Sequence, residues 1–140
     1  MSRAQRGGTG TDTVRGMSKN ASMIESAYAA FARADIAGVI DLTADDVVWT
    51  SPATLPQGGE FHGKAGVGEF FQSIGGAWND LSVTVESLSE SDRQVVAVVN
   101  ASGTLRSGGK GAYGATHVFD IRDGKVARFR EYTDLSAPLA

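Results

Sequence analysis

The sequence predicts a single α+β domain in which helices cover one face of a curved, mainly antiparallel β-sheet. Apolar residues in the first half recur at helical spacing, those in the second half alternate as in strands, and one early strand-like segment lies among the helical ones. Such segregation of helices and strands along a chain is typical of the α+β class. With 140 residues, the chain can bury one core but has no room for a second domain.

The composition argues against several classes of function. The formal net charge is −3 and no basic stripe is present, so we do not expect nucleic acid as a partner. The absence of cysteine removes disulfides and thiol chemistry, and no spacing of histidine and carboxylate residues predicts a metal site. No apolar run is long enough for a membrane span, and the N-terminus lacks the apolar stretch of a secretory signal. We therefore expect a cytoplasmic protein that uses no cofactor and no membrane.

The two ends of the chain differ in composition from the rest. Residues 1 to 20 are rich in Gly, Thr and Arg and almost free of large apolar side chains, which predicts a flexible N-terminal tail. The domain itself is predicted over residues 21 to 136, and residues 137 to 140 are predicted to form a C-terminal tail.

Three helices and one strand are predicted ahead of the main sheet. Apolar residues at intervals of three and four predict a first helix from Ala21, and Asp35 is expected to cap a short second helix. The segment "VVWTSP" at residues 47 to 52 predicts a strand that closes on a proline. After a loop, a third helix is predicted to end at the Gly75-Gly76 pair.

Four consecutive strands are predicted to follow and to pair antiparallel. They cover residues 81 to 90, 94 to 106, 111 to 122 and 125 to 134. A turn at "DG" joins the last two strands, and a hairpin centred there would place Glu131 opposite residue 116 or 117.

Glu131 lies where a carboxylate is not expected. In an extended strand it shares a face with Ala127 and Phe129, and a carboxylate on an apolar face is costly unless that face lines a pocket. His117 lies on the apolar face of the preceding strand. We therefore predict that Glu131 and His117 form the centre of a pocket. The alternatives are a strand end with its charges in water and a histidine buried only for packing.

Further residues are predicted to line the same pocket. Trp49 and Ser51 share one face of the early strand, and Asn100 interrupts a strand rich in valine. The remaining candidates for substrate binding are Tyr28, Phe129 and His62. For Trp49 the alternative is plain core packing, and for His62, which is placed in a loop, the alternative is exposure to solvent.

The order of elements resembles that of the nuclear-transport-factor-2-like and SnoaL-like polyketide cyclase families. The segments "ADIAGVIDLTADDVVWTSP" and "THVFDIRDGKVARFREYTD" carry the resemblance, which covers residues 21 to 136. It implies a cone-shaped fold in which three N-terminal helices and a curved sheet enclose a deep apolar pocket. Members include ketosteroid isomerases, limonene epoxide hydrolases and polyketide cyclases, so the resemblance implies the scaffold more strongly than the chemistry.

Ketosteroid isomerases and epoxide hydrolases match the chain only in part. Ser51 stands where the isomerases place a general-base Asp, so we expect no steroid isomerase activity. Their oxyanion-hole acid falls at His117, and their helical Tyr falls near Tyr28. The epoxide hydrolases have a catalytic Asp at the position of Glu131, but Asn100 and a valine replace the Asp and Arg that they need on an earlier strand.

The SnoaL-type cyclases match the chain better. They resemble it in having a His and an acid/base Asp fourteen residues apart on the last two strands, which is the separation of His117 and Glu131. Because glutamate is longer by one methylene, the reacting atom is displaced and the shared substrate is in doubt.

Three functional hypotheses follow. The first is cofactor-free acid/base chemistry on an apolar, cyclic or polyketide-like carbonyl compound, with Glu131 as the base and His117 stabilising the enolate oxygen or relaying the proton. The second is a binding protein for an apolar small ligand without turnover, and the third is an interaction module. Because relatives commonly pair through the sheet, we also expect a homodimer through an outer face that contains Val96, Val98 and Val126.

Overall fold

The structure, a computed structural model, describes residues 12 to 139, with side chains from residue 19 onward. The described chain forms three helices and six strands: α1 Asp12–Ala32, α2 Ile36–Ile40, β1 Thr43–Ser51, β2 Gly59–His62, α3 Gly63–Ala77, β3 Trp78–Glu90, β4 Gln94–Leu105, β5 Lys110–Arg122 and β6 Lys125–Thr133. The predicted α+β class is confirmed. None of the described helices is long and apolar enough to cross a membrane.

The six strands form one sheet in the order β2-β1-β6-β5-β4-β3. Strands β3 to β6 pair antiparallel with their neighbours in sequence, as predicted. The early strand β1 instead lies parallel to the last strand, β6, with Trp49 beside Phe129. The helices pack on the sheet through α1 against β3 and β4 and through α3 against β1 to β3. This arrangement leaves the core and most of the candidate site residues between the helices and the sheet.

Regular structure and packing extend past both boundaries of the predicted domain. Helix α1 begins at Asp12, so residues 12 to 20 are helical, while the first eleven residues of the predicted tail lie outside the described residues. The helix is held on the sheet by later side chains such as Ile24, and each residue added to an existing helix forms one hydrogen bond at little cost. At the other end, Leu139 packs against the core and its N–H donates to the Thr54 carbonyl.

Three further element boundaries differ from the prediction. Strand β1 begins at Thr43, four residues before the predicted start. The predicted loop before α3 contains β2, which pairs with β1 and places Phe61 opposite Trp49. Helix α3 continues through the Gly75-Gly76 pair to Ala77. The preference of glycine against helix is only about 1 kcal/mol per residue, so the packing of the rest of α3 can override it.

A bulge in β6 changes which side chains face the helices. Asp120 pairs with Arg128 but Ile121 pairs with Val126, so residue 127 has no partner on β5. Val126 therefore turns inward and is only 3 % exposed, although it was predicted on the outer face. An extra residue inverts the alternation of a strand, and the sequence pattern does not reveal where such a bulge occurs.

Candidate functional site

A cavity of about 70 Å³ lies between the helices and the concave face of the sheet. Most of its wall is apolar: Ala27, Phe31, Val39, Trp49, Phe70, Phe71, Ile74, Leu81, Val83, Phe119 and Phe129. Five polar side chains complete the lining: Tyr28, Gln57, Tyr113, His117 and Glu131. The cavity wall therefore offers a mostly apolar surface with polar groups at a few positions.

The hairpin of β5 and β6 places His117 directly opposite Glu131. Asp123 and Gly124 form its turn with φ values of 53° and 75°, and positive φ at both central residues is the requirement of the tight turn that suits paired strands. This register agrees with the sequence prediction. His117 Nε2 lies 2.9 Å from Glu131 Oε2, and each residue is 8 % exposed. The hairpin turn and the bulge in β6 together set the geometry of a buried acid/base pair.

Two more side chains extend this pair into a chain of hydrogen bonds. Ser51 Oγ donates to Glu131 Oε1 over 2.6 Å, and the hydroxyl of Tyr28 lies 2.6 Å from His117 Nδ1. With Glu131 as a carboxylate, His117 Nε2–H donates to it, and His117 Nδ1 accepts the proton of Tyr28. We call Ser51, Glu131, His117 and Tyr28 the polar relay. Every polar side-chain atom in it has a partner, and it reaches from β1 across the sheet to α1.

The two tyrosines of the cavity, the partly buried Tyr28 and the buried Tyr113, hold their protons firmly. Burial raises the pKa of Tyr28 well above its ordinary value of 10.0, and the negative charge of Glu131 raises it further. The pKa of Tyr113 is raised by the same two causes, burial first, against a smaller lowering by its hydrogen bond with Gln57. Both side chains are therefore hydrogen-bond donors at any pH near neutrality, and neither is a base.

An aromatic stack supports the histidine. The rings of Trp49 and Phe129 lie 4.1 Å apart with their planes at 21°, because β1 and β6 run parallel and bring these positions side by side. Phe129 also meets the His117 ring edge-on at 5.0 Å. The contact with Phe129 favours the imidazole orientation in which the hydrogen bonds of the polar relay form.

A second polar cluster contains two residues that the sequence analysis missed. Gln57, in the loop between β1 and β2, is only 2 % exposed. Its Oε1 accepts from Trp78 Nε1 over 3.0 Å, and its Nε2 donates to the Tyr113 hydroxyl over 3.4 Å. Tyr113 could have been found, because it lies four residues before His117 on the same face of one strand. Nothing in the loop sequence distinguishes Gln57 from an exposed glutamine.

The family of the chain follows from its sequence match. The sequence model of the SnoaL-like domain matches residues 24–129, more than half of the chain. The chain belongs to the SnoaL-like family. No curated protein matches this SnoaL-like chain in sequence.

Solved structures agree with this assignment. A nuclear-transport-factor-2-like protein of unknown function from Burkholderia pseudomallei matches the SnoaL-like chain with a TM-score of 0.78 at 26% identity, over 84% of this chain and 92% of that one. TerC, co-crystallised with polyporic acid, matches with a TM-score of 0.75 at 26% identity, over 83% and 92%. A Mycobacterium tuberculosis protein in complex with estradiol-17β-hemisuccinate matches with a TM-score of 0.70 at 24% identity, over 84% and 95%.

Two candidate residues of the SnoaL-like protein lie away from the cavity. Asn100 is exposed on the outer face, where its side chain donates to Glu86, because the inward positions of β4 are the odd-numbered ones around it. His62 ends β2 with a side chain that is 67% exposed and 2.8 Å from Glu60 Oε2. The structure brings together the other six candidates: Tyr28, Trp49, Ser51, His117, Phe129 and Glu131. Among residues 12 to 139, no group of three or more metal-ligating side chains occurs.

Proposed function

We propose that this SnoaL-like protein binds an apolar carbonyl compound and transfers a proton at the carbon next to the carbonyl, without a cofactor. The observation that carries this proposal is the buried pair of His117 and Glu131 in the wall of a cavity that is otherwise mostly apolar. A carboxylate shielded from bulk water and bonded to an imidazole is a suitable group to accept a proton and return it.

The geometry favours one division of roles within the polar relay. Glu131 acts as the base: the C–H bond breaks, its electron pair moves into the enolate, and the proton goes to the carboxylate. Both nitrogens of His117 already have hydrogen-bond partners, Glu131 on one side and Tyr28 on the other. His117 is therefore better placed to relay the proton than to bind the enolate oxygen, because the second role would break one of these bonds.

Two neighbours support a small-molecule ligand. TerC was co-crystallised with polyporic acid, and the Mycobacterium tuberculosis protein was solved with a hemisuccinate of estradiol. The second protein is below 25% identity and supports only the shared scaffold. The ligand that we propose here is apolar, because eleven of the sixteen lining residues are hydrocarbon or aromatic side chains without an ionisable group.

Proton transfer can be tested on a simple ketone. In heavy water, the protein should catalyse deuterium exchange at the carbon next to the carbonyl of β-tetralone, followed by NMR. Glu131→Gln keeps the shape of the side chain and removes the base, so it should slow exchange by about 100-fold or more. The matched control is Glu86→Gln on the outer face, which should exchange at the wild-type rate.

The second candidate function is binding without turnover. It is favoured by the saturation of the polar relay, in which both carboxylate oxygens and both imidazole nitrogens are already bonded. Under this alternative, Glu131→Gln and the wild type would exchange β-tetralone equally, while both would still bind it.

We propose a homodimer through the outer face of the sheet. Val98 is 39% exposed there, with Val96 on the same face of β4, and an exposed apolar strip favours association. Sedimentation at tens of micromolar should show a dimer, and Val98→Lys should shift it to monomer because the charge would be desolvated in the interface. A wild-type monomer at that concentration would contradict the dimer. Cytoplasmic residence stays a prediction.

A further inference from the structure

The cavity has a second polar position at a distance from the His117–Glu131 pair. Tyr113 and His117 both face inward on β5, and four residues of extended strand separate their Cα atoms by about 13 Å. Both side chains line the cavity. A molecule lying along β5 would therefore have His117 near one end and Tyr113 near the other.

The hydrogen bonds around Gln57 leave the proton of Tyr113 without an acceptor. Trp78 Nε1 can only donate, so it fixes Gln57 Oε1 as its acceptor and turns Gln57 Nε2 toward Tyr113. The Tyr113 oxygen then accepts from Gln57. Among the side chains that the structure describes, none accepts from the Tyr113 hydroxyl. A hydroxyl in a residue that is 7 % exposed rarely remains without an acceptor unless something else supplies one.

A second unpaired donor belongs to a residue that lines the same cavity. Trp49 Nε1 is buried and has no hydrogen-bond partner in the part of the chain that the structure describes. Both unused groups, the Tyr113 hydroxyl and the Trp49 indole, are donors. Each oxygen of the Glu131 carboxylate, by contrast, already accepts one hydrogen bond, from Ser51 or from His117. The complement of such a wall is a ligand that brings acceptor oxygens rather than hydroxyl donors.

We propose that Tyr113 and Gln57 form a second ligand subsite, which binds a carbonyl-type acceptor oxygen at the end of the ligand remote from the His117–Glu131 pair. The ligand class is then an extended apolar compound with an oxygen acceptor at each end, such as a rigid diketone. Tyr113 donates the hydrogen bond, and Gln57 positions the tyrosine ring through its bond to the phenol oxygen. This subsite rests on the proposed function in one respect, which is that the other carbonyl of the ligand lies beside the His117–Glu131 pair.

A matched pair of probes tests the subsite. Bicyclohexyl-4,4′-dione carries one carbonyl at each end of a rigid skeleton, and 4-cyclohexylcyclohexanone has the same skeleton with one carbonyl. The chain has two tryptophans, so a proton–nitrogen NMR spectrum shows two indole signals, and the Trp78 signal reports on Gln57 directly. We expect the diketone to bind about fivefold more tightly than the monoketone, in line with one additional hydrogen bond, and to shift the Trp78 signal.

Tyr113→Phe separates the subsite from the rest of the cavity. It removes the hydroxyl and keeps the ring, so the diketone should lose its fivefold advantage over the monoketone. Tyr132→Phe, at a side chain 54% exposed on the outer face, is the matched control and should keep the advantage. The dispersion of the NMR spectrum shows whether each variant is folded.

The outcomes distinguish this proposal from the proposed function. The subsite proposal would be overturned if the Tyr113→Phe variant still preferred the diketone. It would also be overturned if the wild-type protein bound both ketones equally. Such a result would leave proton transfer intact, because Glu131→Gln is assayed by deuterium exchange on a ketone with one carbonyl. Binding of neither ketone would overturn the subsite, and exchange on β-tetralone would still report on the polar relay. The Tyr113→Phe variant could also be folded and less stable while keeping the preference for the diketone. That result would overturn the subsite and show that the hydrogen bonds among Gln57, Trp78 and Tyr113 serve to hold the loop between β1 and β2.

Discussion

Phe129→Ala should lower the free energy of unfolding by about 3–5 kcal/mol, the usual loss for a buried phenylalanine. Phe129 is 3 % exposed and stacks on Trp49 at 4.1 Å. It also meets His117 at 5.0 Å and Phe119 at 5.1 Å. Removing its ring joins new empty volume to the existing cavity and frees the imidazole to turn away from Glu131. Urea unfolding, followed by tryptophan fluorescence, measures the change.

Phe129→Leu is the matched control. Leucine keeps most of the volume, so this variant should lose less than about 1.5 kcal/mol and retain the orientation of His117. The free energy of unfolding could instead fall by less than about 1 kcal/mol in Phe129→Ala, which would mean that neighbouring side chains fill the space left by the ring. In that case the stack of Trp49 and Phe129 would not be what holds the imidazole of His117.

Stability should fall steeply above pH 10, by about 1.4 kcal/mol per pH unit for each buried tyrosine of the cavity. The pKa values of Tyr28 and Tyr113 are raised in the folded protein, so the folded state keeps both protons where the unfolded chain has lost them. The unfolded state then binds fewer protons, and the free energy of unfolding decreases as pH rises. Below pH 10 both states are protonated and this contribution is fully present. Urea titrations at several pH values between about 9 and 12 measure the slope.

Phenylalanine variants test the origin of this slope. Tyr28→Phe and Tyr113→Phe should each reduce the slope by about one proton, because phenylalanine does not titrate. Tyr132→Phe, which replaces an exposed tyrosine outside the cavity, is the matched control. Equal slopes in the wild type and in the double variant would show that the buried tyrosines do not control alkaline unfolding.

The central pair of the site was predictable from the sequence because it depends on local chemistry. The "DG" turn requires positive φ at two residues, which limited the residue opposite Glu131 to 116 or 117, and the bulge in β6 decides for His117. The inward direction of Trp49 and Ser51 also followed from the alternation of a short strand. These inferences needed only neighbours in sequence or one tight turn, and they left a one-residue choice in the register that the bulge settles.

Other features depend on contacts that no local pattern encodes. Gln57 is buried because Trp78 and Tyr113, which are 21 and 56 residues away, surround its amide. Asn100 was predicted in the pocket from the cost of burying an amide, but this cost does not apply to the outer face, where the structure places it. Val126 turned inward because of a bulge. Long-range packing determines where each of these side chains lies, and the residue type alone did not predict it.

The parallel pairing of β1 with β6 bears on how the protein acquires its site. Ser51 and Glu131 are 80 residues apart in sequence, yet they are joined by one hydrogen bond across adjacent strands. Closing so long a segment is entropically unfavourable and slows folding in proteins dominated by nonlocal contacts. A chain growing on the ribosome can therefore form its helices and the β3–β4 hairpin early. The polar relay can be assembled only after the last strand has been synthesised.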